Sequence, residues 1–266
     1  MAAPRLPLAV TAILLTASPA YAQPAAVGSD WSLRLGGAAL VAPSYEGSDS
    51  VAVRPVPLVD FTWRDVVFLD SRRGIGANLV TLGDPEGLGS LTAGPLANWR
   101  FARKEGDDDD LRGLGDVKGG ADVGAFARYS RGRIDLNLTA KRNVSDADLG
   151  GTVELGARYR LPPIGRTLVS FGPSATWADG DYMKSYFGVS ADRVQASGLA
   201  AYAPSAGVKD VGVGALAIHP FGGNWALSAF GGYTRLVGDA ADSPLVKQRG
   251  TANQVSIGLG LSYKFR

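Results

Sequence analysis

The feature that most constrains this chain is a period-2 alternation of apolar and polar residues, recurring in segments of roughly ten residues. In the clearest instance Ile134, Leu136, Leu138 and Ala140 alternate with Arg133, Asp135, Asn137, Thr139 and Lys141. Val153, Leu155, Ala157 and Tyr159 alternate in the same way with Thr152, Glu154, Gly156, Arg158 and Arg160. Successive side chains of a strand point to opposite faces, so a strand of this kind separates an apolar medium from a polar one. Other segments repeat the pattern, from Trp31 through Leu33 and Leu35 to Val41, and from Leu91 through Ala93 and Pro95 to Phe101. At the far end Val255, Ile257, Leu259, Leu261, Tyr263 and Phe265 share one face.

A half-buried soluble sheet also alternates, so the medium is decided by other signals. Ten residues is the length of a tilted strand crossing a bilayer. Trp31, Trp63, Trp99, Tyr129, Tyr159, Trp177 and Tyr233 gather at segment ends, as interfacial girdles require. Glycine and alanine crowd the apolar faces, where a soluble core would hold larger Leu, Ile and Phe. The 36 glycines are spread through the alternating segments, which suits a curved, closed sheet. These signals predict an all-β, transmembrane, up-and-down antiparallel barrel.

The N-terminus sets the compartment. Arg5 supplies a positive charge, Leu6 to Ala17 an apolar run, and Ala20-Tyr21-Ala22 a small-x-small cleavage pattern. Residues 1–22 are therefore expected to be a signal peptide, and 23–266 an outer-membrane barrel. Beyond that leader no eighteen consecutive residues are apolar, which excludes a membrane-spanning helix. The chain has no cysteine, so lipid acylation, disulfides and thiolate chemistry are excluded. A near-balanced charge of +2 gives nucleic acid no reason to bind.

Connections alternate short and long. Arg64-Asp65, Ser130 to Gly132, Leu161 to Arg166 and Pro220 to Asn224 are short. Pro43 to Ser50, Lys104 to Lys118, Arg142 to Leu149, Asp179 to Ala206 and Gly238 to Gly250 are long. With short turns periplasmic and long loops outside, the walk gives about twelve strands. It gives about ten if Val66–Leu82 does not fold into a hairpin turning near Asp70 to Gly74. Pro55 and Pro57 each remove a ladder donor from the second strand, which a closed barrel should register as lost stability or a bulge.

No residue reads as catalytic, cofactor-binding or metal-ligating. His219 is the only histidine and precedes Pro220 at an expected periplasmic turn, with no triad around it. Asp107 to Asp110, with Glu105 and Asp116, lack calcium-loop spacing and read as a solvated loop, although a cation bridge to lipopolysaccharide is the other reading. Asp60, Arg100, Asp122, Arg128, Arg133, Asp135, Lys141, Glu154, Arg158 and Arg160 are expected to face inward as a mixed-sign lumen, favouring cross-strand pairing over an ion-selective pore. The loop Asp179 to Ala206, with Tyr182, Tyr186, Phe187 and Tyr202, is either a plug or an outer contact surface.

Several stretches together resemble the MipA/OmpV family of outer-membrane proteins. They are Pro43-Ser44-Tyr45-Glu46-Gly47-Ser48, Ser71-Arg72-Arg73-Gly74-Ile75-Gly76-Ala77 and Tyr186-Phe187-Gly188-Val189. Ser197 to Tyr202, Gly207-Val208-Lys209-Asp210 and Asp242-Ser243-Pro244-Leu245-Val246 complete the set, in the family's order. The resemblance implies a scaffold linking the lytic transglycosylase MltA to a bifunctional penicillin-binding murein synthase, with no agreed catalytic residues. OmpV-like members imply an adhesin, and the charged lumen itself leaves room for a narrow passive channel.

Overall fold

The computed structural model describes residues 30–83 and 87–265, so the expected signal peptide, residues 1–22, lies outside the described residues. The strands are β1 (Trp31–Pro43), β2 (Val51–Trp63), β3 (Val67–Asp70), β4 (Gly74–Ala77), β5 (Val80–Leu82), β6 (Ser90–Arg100) and β7 (Gly120–Arg131). They continue with β8 (Ile134–Asn143), β9 (Gly151–Arg160), β10 (Leu168–Ala178), β11 (Gly207–Phe221), β12 (Trp225–Leu236) and β13 (Asn253–Lys264). Neighbours pair antiparallel, β1 closes on β13, and β4 and β5 both pair with β6. Segments β4 and β5 are two pieces of one wall strand, broken at Asn78 and Leu79, so the closed barrel has twelve staves. The hairpin on which that number depends is present, with Asp70 opposite Gly74.

Facing follows the sequence period. Along β8 exposure alternates residue by residue, with Ile134, Leu136 and Leu138 outward and Asp135, Asn137 and Thr139 turned in. Trp31 pairs with Trp63, and Trp225 with Tyr263, at the end that also carries the short turns. Trp99, Trp177 and Tyr233 stand near the other end of their strands, so two aromatic girdles bracket an apolar belt.

One stave is short. β3 pairs with β2 only from Trp63–Val67 up to Asp60–Asp70, whereas β2 runs on to Val51. Above that point β2 has no strand on the side away from β1 among the described residues. The Val59 N–H points to that side, toward Ser71 Oγ at 2.6 Å. Pro57 and Pro55 are two and four residues along, so their missing donors face the same open edge. The expected loss of a ladder bond does not occur: the prolines lie where no partner exists, while β1 pairs past both of them.

The long loops fold over the outer mouth. They carry α1 (Gly180–Phe187), α2 (Val194–Ser197), α3 (Gly238–Asp242) and α4 (Pro244–Arg249). Asp179 caps α1 by accepting from the Tyr182 N–H at 2.9 Å. Tyr182, Met183, Tyr186 and Phe187 are buried with Val117, Leu149, Leu236, Ala240 and Val246 in one apolar cluster. Tyr45, Leu111, Val189, Leu199 and Leu245 form a second. All five long loops contribute to this cap, which resolves the loop Asp179 to Ala206 as a plug.

Candidate functional site

The cap and the lumen beneath it hold most of the buried polar chemistry. Lys209, at the outer end of β11, is buried and ion-paired with Glu46 of the first loop and with its neighbour Asp210. The Tyr182 hydroxyl donates to the other Glu46 oxygen at 2.8 Å. Burial first, and then the Glu46 carboxylate, holds that hydroxyl well above the ordinary phenol range. Tyr182 also stacks on Tyr186, with ring centroids 4.4 Å apart. Arg103, itself buried, donates through Nη1 to the Tyr186 carbonyl at 2.7 Å. Apart from Arg103 Nε, which has no hydrogen-bond partner, these groups neutralise and satisfy one another, as buried charges tend to. They pin the plug to the wall.

Further links tie the remaining loops. Arg249 of α4 donates through Nη1 to the Asp110 carbonyl at 2.9 Å and through Nη2 to the Ser197 carbonyl. Ser243, fully buried, donates to the Phe187 carbonyl at 2.6 Å. Gln254 accepts from the Gly47 N–H and donates to the Ser48 carbonyl, both at 3.1 Å. An outer mouth filled this way is a folded lid.

The acidic loop is knit more tightly than a solvated loop. Asp108 accepts from Ser50 Oγ at 2.6 Å and from the Asp110 N–H at 3.1 Å. Asp107 accepts from the Lys104 N–H, Asp116 from the Glu105 N–H, and Glu105 from the Gly113 and Gly115 N–H groups. Each of these four carboxylates turns to a different backbone donor. Among the described residues no cluster of His, Asp and Glu is arranged to hold a metal ion.

Below the cap the lumen is divided. Strands β6 to β9 carry the charges read from the sequence. Arg100 is bidentate on Asp122, which also accepts from Asn143 Nδ2 at 3.0 Å. Arg160 pairs with Asp135 at 3.1 Å, and Arg128 donates to Asn137 Oδ1 at 3.1 Å. Arg158 is buried, with Nε and Nη1 lacking hydrogen-bond partners. Lys141 and Glu154 turn in on β8 and β9, and Asp60 on β2. Arg133 is a correction: it lies in the β7–β8 turn and is exposed, because β8 begins only at Ile134.

The opposite wall carries an apolar cluster, which the sequence reading missed. Leu40, Ala42 and Val56 are buried against Ala38 and Phe230. Two inward glycines make the room: a Cβ at Gly258 would lie 2.2 Å from the Phe230 ring, and one at Gly260 2.7 Å from Leu58 Cδ1. Small residues on an inward face were the available signal.

The short-turn face is simple. Arg64 and Asp65 take positive φ in a tight turn, and Ile164 is exposed in the β9–β10 connection. His219 lies within β11, which runs to Phe221, so it is not in the turn itself. Its Nδ1 meets Thr167 Oγ1 at 2.9 Å.

With this geometry in place, comparison with known proteins gives one consistent picture. The profile of a family described as "MltA-interacting protein MipA" matches residues 35–265. The MltA-interacting protein of Escherichia coli (strain K12) is 28% identical over 235 residues, covering 86% of this chain and 88% of the relative. The Shigella flexneri protein of the same name matches equally. Among solved structures, Pseudomonas putida OprB aligns with a TM-score of 0.44 at 8% identity, covering 89% of this chain and 94% of that one.

Proposed function

The chain belongs to the MltA-interacting protein family of outer-membrane barrels, and from that membership we propose a scaffold that binds murein-remodelling enzymes at the periplasmic rim. In this reading the rim docks a lytic transglycosylase and, beside it, a bifunctional penicillin-binding murein synthase. The outward belt sits in lipid and lipopolysaccharide.

The observation that carries the reading is the family match across residues 35–265. The architecture supports it. Two apolar cores, drawn between them from all five long loops, fill the outer mouth, which weighs against a passive channel or an extended adhesive surface. What remains accessible to the periplasm is a ring of short turns that includes the exposed Ile164. No step of bond making or breaking is assigned to the chain.

The test is direct binding. Purified barrel in detergent should retain a purified MltA-type lytic transglycosylase in pull-down and in biolayer interferometry. Ile164→Asp and Arg166→Asp at the rim should weaken it, and Asp109→Lys on the outer face should not. Absence of binding, or sensitivity only to the outer-face change, would overturn the scaffold reading. Steady single-channel steps in a planar bilayer would favour the channel.

A further inference from the structure

The short β3–β4 hairpin leaves a window in the barrel wall. One side is the free edge of β2 between Arg54 and Val59, and the sill is the turn Ser71 to Arg73. The far side is the upper end of β6, near Asn98, with β4 pairing to β6 at Ile75–Ala97. The lintel is the acidic loop, fastened to the top of β2 by the Ser50–Asp108 hydrogen bond. Outward Val53, at 69% exposure, and Ile75 flank the window within the apolar belt, so it opens onto lipid. Pro55 and Pro57 keep its edge free of donors that would be stranded in hydrocarbon.

Behind the window lies a cavity of about 90 Å³ against the apolar half of the lumen. Val56, Leu58, Leu216, Ile218 and Phe230 line its apolar part, the charged Arg34, Asp60, Asp70 and Arg72 also border it, and Val59 and Ser71 bring it to the wall. The window's frame is polar in a different way. Arg54 Nε, Arg73 Nε and Asn98 Oδ1 are buried atoms with no hydrogen-bond partner, and Arg54 as a whole is 7% exposed. The Asp70 carboxylate beside Arg73 is engaged by the Arg72 and Arg73 N–H groups at 2.8 and 3.0 Å. Asp107 is the carboxylate that faces Arg54. Buried polar atoms of this sort, here two donors and one acceptor, are satisfied in nearly all proteins, so three around one opening point to a polar group that belongs there.

We propose that the window admits, from the outer half of the bilayer, an amphiphile with a single hydrocarbon chain and an anionic headgroup. The chain lies in the cavity between Val56 and Phe230, and the headgroup sits in the frame between Arg54 and Arg73. An apolar chain gains by leaving one hydrocarbon environment for another only if contacts improve. The charge-assisted hydrogen bonds to the two guanidinium groups supply the preference.

The full chain, folded in lipid nanodiscs, should be irradiated with dodecanoic acid carrying a terminal diazirine, and the adducts mapped by mass spectrometry. Adducts on Val56, Leu58, Leu216 or Phe230, competed by dodecyl phosphate, are expected. Arg54→Gln with Arg73→Gln should reduce labelling about tenfold while heat-modifiable mobility persists. Ser228→Phe, which fills the cavity, should abolish it. Adducts confined to outward Val53, Val213 and Leu259 would mean annular lipid and overturn the proposal. Competition by inorganic phosphate as strong as by dodecyl phosphate would reduce the site to a free-anion site. Equal competition by dodecanol would overturn the headgroup assignment. The wild-type adduct pattern decides even if a variant fails to fold.

Discussion

Arg100 grips Asp122 with two guanidinium nitrogens, Nε at 3.0 Å and Nη2 at 2.9 Å, across the β6–β7 pair and beneath the plug. Asp122 is 1% exposed, so each charge depends on the other. Asp122→Ala leaves a buried, unpaired guanidinium and should destabilise the fold by about 3–5 kcal/mol. Guanidinium unfolding followed by gel mobility measures it. Arg100→Met with Asp122→Leu should recover much of that loss, because no orphaned charge remains.

Leu136 and Thr139 test facing on one strand. Leu136→Arg puts a charge into the lipid belt and should cost about 2–4 kcal/mol near the midplane, read as lost outer-membrane yield. Thr139→Arg points inward opposite Glu154 and should be tolerated. Leu136→Trp should also be accepted, since acyl chains accommodate bulk that a packed core would reject. Rejection of Trp as severe as that of Arg would place protein, not lipid, against β8.

Pro55 and Pro57 give a prediction whose sign is informative. At an open edge, Pro→Ala gains no ladder bond and loses the rigidity that proline imposes on the unfolded chain. Each substitution should therefore destabilise by roughly 0.4–1 kcal/mol. Stabilisation instead would mean that β2 finds a strand partner on that side.

The cap should loosen in alkali. Burial is the largest cause raising the hydroxyls of Tyr45, Tyr182 and Tyr186, followed by the Asp110 carboxylate at Tyr45 and the Glu46 carboxylate at Tyr182. Raised phenols mean that the folded cap binds more protons than the unfolded chain. Its stability is therefore intact below about pH 10 and falls as pH rises above that value. Limited proteolysis should cut the outer loops faster at about pH 11 than at about pH 8, with the staves still protected. Tyr182→Phe should flatten that dependence and weaken the cap at both values, since the Glu46 hydrogen bond is lost.

What was legible in the sequence was what lipid enforces. The period-2 faces of β8 and β13, the girdles at Trp31 and Trp99, and the hairpin around Asp70 to Gly74 all answer to one boundary condition. The open edge beside Pro55 was not legible, because it depends on how far β3 climbs along β2. The cap was hidden for the same reason. Tyr182 and Phe187 read as loop aromatics until loops far apart in the chain bring Val117 and Val246 against them. Arg133 was misassigned by one residue of strand length, enough to move a charge from the lumen to a turn.

Because the loops share two interlocking cores, they are not independent appendages. An insertion or substitution in any one must be absorbed by the loops that share its cluster, so each loop is a hostage to its neighbours. An antibody that recognises the native surface must read a shape assembled from distant segments. Peptides copied from a single loop, such as residues 179–206, will make poor immunogens against it.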